Sequence, residues 1–189
     1  MPSEAAYFDA NYQSYSKKLT ELDQYIIDRI KEIPAKHRYL ITSHDAFAYF
    51  GKRYDIQVEG IVGTSTESEA QTSDIRRIQK IIKESGVPAI FVESTINPKL
   101  IEQIAKDSNI KVGGSLFADS LGPKDSKGNT YYNMMKSNID DIANALTKSA
   151  SGASDHDHAP EKSSSWMIYL FLGIAMLLVL LLLMKKMNS

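Results

Sequence analysis

One histidine and one aspartate carry the most specific chemistry in this chain. The stretch "RYLITSHDAF", residues 38–47, is a short apolar run that ends on Ser43, His44 and Asp45. Further along, "LFADSLG" places Asp119 just after a second apolar run. Neutral imidazole and carboxylate suit zinc and manganese, and a chain with no cysteine offers no thiolate to compete. His44 and Asp119 are remote in sequence, so only a fold that gathers strand ends brings them together. Spacing alone leaves the blander reading open, because a lone histidine after a strand commonly caps or braces structure. Glu93 and Asp45 are less distinctive; each could be a helix cap or a partner that orients a ligand.

Other chemistries fit less well. Ser43-His44-Asp45 contains the residue types of a hydrolytic triad, but adjacent side chains point in different directions and cannot form a relay. No G-x-S-x-G elbow is present. "VGGS" and "GTS" match neither a dinucleotide fingerprint nor a P-loop. His156 and His158 lie beside Asp155 and Asp157 in a small, polar segment, which reads as a solvated linker or as a weak metal-gathering tract.

The elements that must position His44 and Asp119 alternate. Residues 3–33 predict a long amphipathic helix, with Phe8, Tyr12, Tyr15, Leu19, Leu22, Ile26, Ile30 and Ile33 recurring every three or four positions and Pro34 ending it. Strands are predicted at 38–42, 56–63, 89–94 and 111–117. Helices are predicted at 46–54, about 73–85 with Thr72 or Ser73 as cap and Gly86 as stop, from Asn97-Pro98 to about 108, and about 131–146 with Met135, Ile139, Ile142 and Leu146 inward. This alternation predicts an α/β fold, a mostly parallel four-stranded sheet with helices on both faces. Such sheets bind ligands outside the carboxyl ends of their strands. Residues 43–45, 64–69, 93–95 and 118–120 all fall there.

The 189 residues carry a net charge of −1 and 43% hydrophobic content. That allows one packed domain plus an appendage, with no global attraction to nucleic acid. Residues 150–165 read as a flexible linker. Residues 166–184, "WMIYLFLGIAMLLVLLLLM", hold no charge and are long enough to cross a bilayer as a helix. Trp166 and Tyr169 suit one interface. Lys185 and Lys186 close the other end and predict a cytoplasmic C-terminus with the globular part extracytoplasmic. The polar, acidic start "MPSEAAYFDANYQ" is unlike a secretory leader, so the route of export is left open.

Four blocks carry a resemblance: "ITSHDAFAYFGKRY", "GIVGTSTESEAQTSDI", "GVPAIFVESTINPKLIEQIAKDSNIKVGGSLFADSLG" and "YYNMMKSNIDDIANAL". In this order they resemble the C-terminal lobe of the zinc/manganese solute-binding proteins of ABC transporters, and the helix at 3–33 resembles that family's backbone helix. The resemblance implies a metal-binding lobe over 34–149 that is not an enzyme. It implies that His44 and Asp119 are metal ligands, with zinc or manganese as transported cargo and an ABC permease as partner. Histidine rather than glutamate at position 44 leans toward zinc. The family's other two ligands come from a first lobe, and only Met1 and Pro2 precede the helix here, so the expectation is half of a metal site. A missing N-terminal lobe or a second copy would complete it, in a truncated gene product or one part of a split protein. The alternative is an adhesion or protein-interaction module that exposes the helix's apolar stripe.

Overall fold

A computed structural model of the chain describes residues 4–63 and 70–148. The linker at 150–165, the apolar stretch at 166–184 and the polar group at 64–69 lie outside the described residues. Among the described residues, no helix is long and apolar enough to cross a membrane.

The elements follow in the expected order: α1 (Ala5–Lys31), a 3-10 turn (Ala35–His37), β1 (Tyr39–Thr42), α2 (Ala48–Tyr54), β2 (Gln57–Gly60), α3 (Thr72–Ser85), β3 (Ala89–Glu93), α4 (Lys99–Asp107), β4 (Lys111–Leu116) and α5 (Tyr131–Thr147). Both faces of the strands are covered. Leu40, Ala89 and Phe91 point to one side, into a core shared with Leu22, Ile26 and Ile30 of α1 and Ile139, Ile142 and Leu146 of α5. Ile41, Ile90 and Val92, one residue out of phase, point to the other side, against Ile78 and Ile82 of α3 and Ile101 and Ile104 of α4. The two-residue alternation of a strand thus sorts one continuous apolar run into two cores.

The sheet differs from expectation in how it is joined. β1 pairs in parallel with β2, and β3 pairs in parallel with β4, as two two-stranded ladders. Among the described residues, no backbone ladder joins β1 to β3 and completes four strands. The carboxylate of Glu93, at the end of β3, instead accepts hydrogen bonds from the Ser43 and His44 amides just beyond β1. Within the second pair, the register slips between Ile90 and Val92. Gly113, opposite this slip, lies so close to the Phe91 ring that a Cβ would fall 2.5 Å from its Cε1.

Helix ends obey local chemistry, with two departures from the expected residues. Gln71, rather than Thr72 or Ser73, caps α3, and the Asp74 carboxylate accepts the Gln71 N–H at 3.0 Å. In α5, Met134 is buried and Met135 only partly so, which turns the inward face slightly and brings Asn138 inside.

α1 is amphipathic along its length but only half packed. Its second half buries Leu22, Ile26 and Ile30, but Tyr7, Phe8, Tyr12 and Tyr15 in its first half are 66%, 57%, 66% and 48% exposed. The periodicity is continuous, yet only half of the stripe meets a core. Two polar struts brace the buried half. On one flank Arg53 grips Asp23 through two bonds of 2.8 and 2.6 Å, and the Tyr54 hydroxyl donates to Asp23 at 2.8 Å. The Arg53 bond holds the Asp23 carboxyl below its ordinary range, and burial with the Asp23 contact pushes the Tyr54 phenol up to about 12. On the other flank Tyr25 and Lys136 both donate to Asp140. Burial works to raise the Asp140 carboxyl, but these two bonds together with the nearby Lys136 and Arg29 charges hold it low.

Candidate metal centre

His44 and Asp119 meet. His44 follows β1 and Asp119 follows β4, and Nε2 of the one lies 3.5 Å from Oδ2 of the other at the carboxyl rim of the strands. The imidazole is buried, whereas Asp119 is 49% exposed, so the pair opens to solvent on the aspartate side. Asp45, partly exposed and one residue on, is not drawn into this contact. His37, the other buried histidine among the described residues, sets Nδ1 3.1 Å from the Leu146 carbonyl and takes no part.

The backbone around His44 is pinned from several sides. Val62 N–H donates to Ser43 O at 3.1 Å, and Asp45 N–H donates to Gly63 O at 3.3 Å, so the pairing of β1 with β2 runs on past the strand ends. Thr42 Oγ1 donates to the His44 carbonyl at 2.8 Å. Gly60 permits this closeness. A Cβ there would sit 2.8 Å from Asp45 N and 2.9 Å from His44 C, so any other residue would push the histidine loop away.

Behind the ring, Glu93 is wholly buried. Its Oε2 accepts the Ser43 amide and its Oε1 the His44 amide, each at 3.1 Å, and Oε1 also lies 2.9 Å from His44 Nδ1. This last contact is close but not well aligned for a hydrogen bond, and among the described residues Nδ1 has no other partner. Ser43 Oγ is buried and unpartnered among the described residues.

Asp119 is positioned by a device the sequence hid. Asn138, buried on α5, accepts the Phe117 N–H at 3.0 Å and donates to the Phe117 carbonyl at 2.7 Å. Its amide thereby replaces a neighbouring strand for one residue, two positions before Asp119. The available signal was a single asparagine on the apolar face of α5, between Met134 and Ile142. Glu93 carried a weaker signal, an acid closing a strand whose every residue is buried.

Chemically, a nitrogen and an anionic oxygen face one point, and a second carboxylate adds negative potential from behind. A tetrahedral zinc with bonds of about 2.0–2.2 Å to nitrogen and oxygen has ligand–ligand edges of about 3.4 Å, close to the separation of His44 and Asp119. Among the described residues, no group of three or more metal-ligating side chains forms a shell. Two side chains able to ligate a metal, one buried and one half-exposed, are what the described residues bring together.

Comparison with known proteins gives a consistent picture. The family model for the zinc-uptake complex component A, periplasmic (ZnuA), matches residues 1–145. The zinc-binding protein TroA of Treponema pallidum is 37% identical over 153 residues, covering 78% of this chain and 50% of TroA. The manganese-binding lipoprotein MntA of Bacillus subtilis is 37% identical over 151 residues, covering 77% of this chain and 49% of MntA. Among solved structures, the periplasmic zinc-binding protein TroA superposes with a TM-score of 0.73 at 36% identity, covering 78% of this chain and 55% of TroA. The chain spans about half the length of the curated relatives it matches.

Proposed function

The chain belongs to the ZnuA family of periplasmic zinc-uptake components, and on that premise we propose that it is the cargo-holding lobe of a divalent-metal solute-binding protein serving an ABC importer. Zinc or manganese is the cargo. His44 Nε2 and Asp119 Oδ2 are its ligands from this lobe, and the 3.5 Å between them is the observation that carries the reading. The protein performs no reaction on the ion; it captures and presents it to a permease. The apolar stretch 166–184 anchors it as a single span, with Lys185 and Lys186 cytoplasmic and the lobe extracytoplasmic. The segment 150–165 is the tether, and residues 34–149 with the helix at 3–33 are the working part.

Two ligands make half of a four-coordinate shell. The other half comes from a complementary lobe seated on the exposed stripe of α1, because the relatives hold about as much chain again as this one matches. Calorimetric titration with zinc tests the ligand assignment. His44→Ala and Asp119→Ala should each weaken binding by at least about tenfold, or about 1.4 kcal/mol. Parent-like affinity in both would remove these residues from the site.

A second reading, a protein-interaction module without transport, is favoured by one observation, the four exposed aromatic residues of α1. It expects no dependence of zinc binding on either ligand.

A further inference from the structure

We propose that Glu93 is the positioning residue of the metal site, fixing both the place of His44 and which of its ring nitrogens faces the cargo. The inference rests on the reading of His44 as a ligand. Glu93 is fully buried, and among the described residues no lysine or arginine lies within 4.0 Å of it. A buried carboxylate is costly unless hydrogen-bond donors converge on it. Here the converging donors are the Ser43 and His44 amides, at 3.1 Å each, and His44 Nδ1 lies 2.9 Å from Oε1 without the alignment of a hydrogen bond.

The ring contact has a directional consequence. If Nδ1 carries the hydrogen, its positive end meets a carboxylate oxygen 2.9 Å away, an attraction even short of a well-aligned hydrogen bond. If Nδ1 presented a lone pair, it would confront the carboxylate's own lone pairs without an intervening hydrogen. Glu93 therefore selects the Nδ1–H form, which leaves the Nε2 lone pair free on the Asp119 side. The two backbone bonds fix the loop, so the ring cannot escape by moving its own main chain. The carboxylate acts through His44 and does not face the point that His44 and Asp119 share.

The test uses the full chain and two independent readouts. Glu93→Gln keeps the size but places a donor NH2 at one of the two carboxylate positions. It should weaken zinc binding roughly 10–100-fold, and should add nothing in the His44→Ala background. Glu93→Asp, which keeps the charge but falls short, should lie between parent and Gln and serves as the check if Glu93→Gln fails to fold. Parent-like zinc affinity in the folded variants would overturn the proposal, as would an equal loss in the His44→Ala background. Nitrogen-15 NMR of the His44 ring should show Nδ1–H in the parent and a shift toward Nε2–H in Glu93→Gln. Nε2–H in the parent would overturn the assignment. Because this readout needs no metal, it judges Glu93 even if His44→Ala and Asp119→Ala show that zinc binds elsewhere.

Discussion

At the scale of single residues, the site divides into side chains that name themselves and side chains that do not. His44 and Asp119 could be picked out because they follow apolar runs at the strand rim and match the ligand positions of the family they resemble, although spacing alone left a structural use open. Glu93 was visible only as an ambiguous acid, since a buried strand-end carboxylate looks the same in sequence as an exposed cap. Asn138 showed only as one asparagine on the apolar face of α5, and nothing in the sequence pointed to the partner it serves, 21 residues earlier. Its removal is correspondingly informative. Asn138→Ala leaves the Phe117 N–H and C=O without their partner and should cost about 1–3 kcal/mol, read as a lower urea midpoint. It should also weaken zinc binding by letting Asp119 drift. A variant with the parent midpoint would show that the amide clamp contributes nothing.

At the scale of elements, order and type were legible, because apolar runs of strand length separated by capped helices leave little freedom. The joining of the strands was not. Parallel pairs that share a face write the same apolar pattern whether a backbone ladder or a side chain links them. α1 shows a second limit. Its spacing predicted one apolar stripe from Phe8 to Ile33, but periodicity reports which residues share a face and not whether anything lies against it. The buried half is held partly by ionic struts, which carry a pH signature. Asp23 has a folded pKa below its ordinary value, so its contribution is present above about pH 4 and is lost as pH falls through the depressed folded value. The difference in melting temperature between parent and Arg53→Gln should therefore be largest near neutrality and shrink on acidification. A difference that stays constant down to acid pH would place the strut's effect outside the Asp23 charge.

At the scale of the whole molecule, the aromatic half of α1 is an apolar face that the described residues leave uncovered. Exposed aromatic surface on one helix face commonly marks an interaction site. If the occupant is a complementary lobe, the chain mixed with the unmatched half of a relative such as TroA should sediment as a one-to-one complex. Phe8→Glu combined with Tyr12→Glu should abolish that complex without lowering the melting temperature of the chain alone. Self-association of the parent in place of the mixed complex would assign the stripe to a second copy.

The Glu93 bridge between the two strand pairs has a mechanical meaning. Where a continuous sheet would distribute its polar cohesion over a row of main-chain bonds, this one adds to its shared cores a fastening made by one acid. A load that lifts the histidine pulls on that same rivet between the strand pairs. On the proposed function, gripping the ion and fastening the pairs draw on one side chain, and a single exchange there should slacken both while every bond within each ladder stays intact.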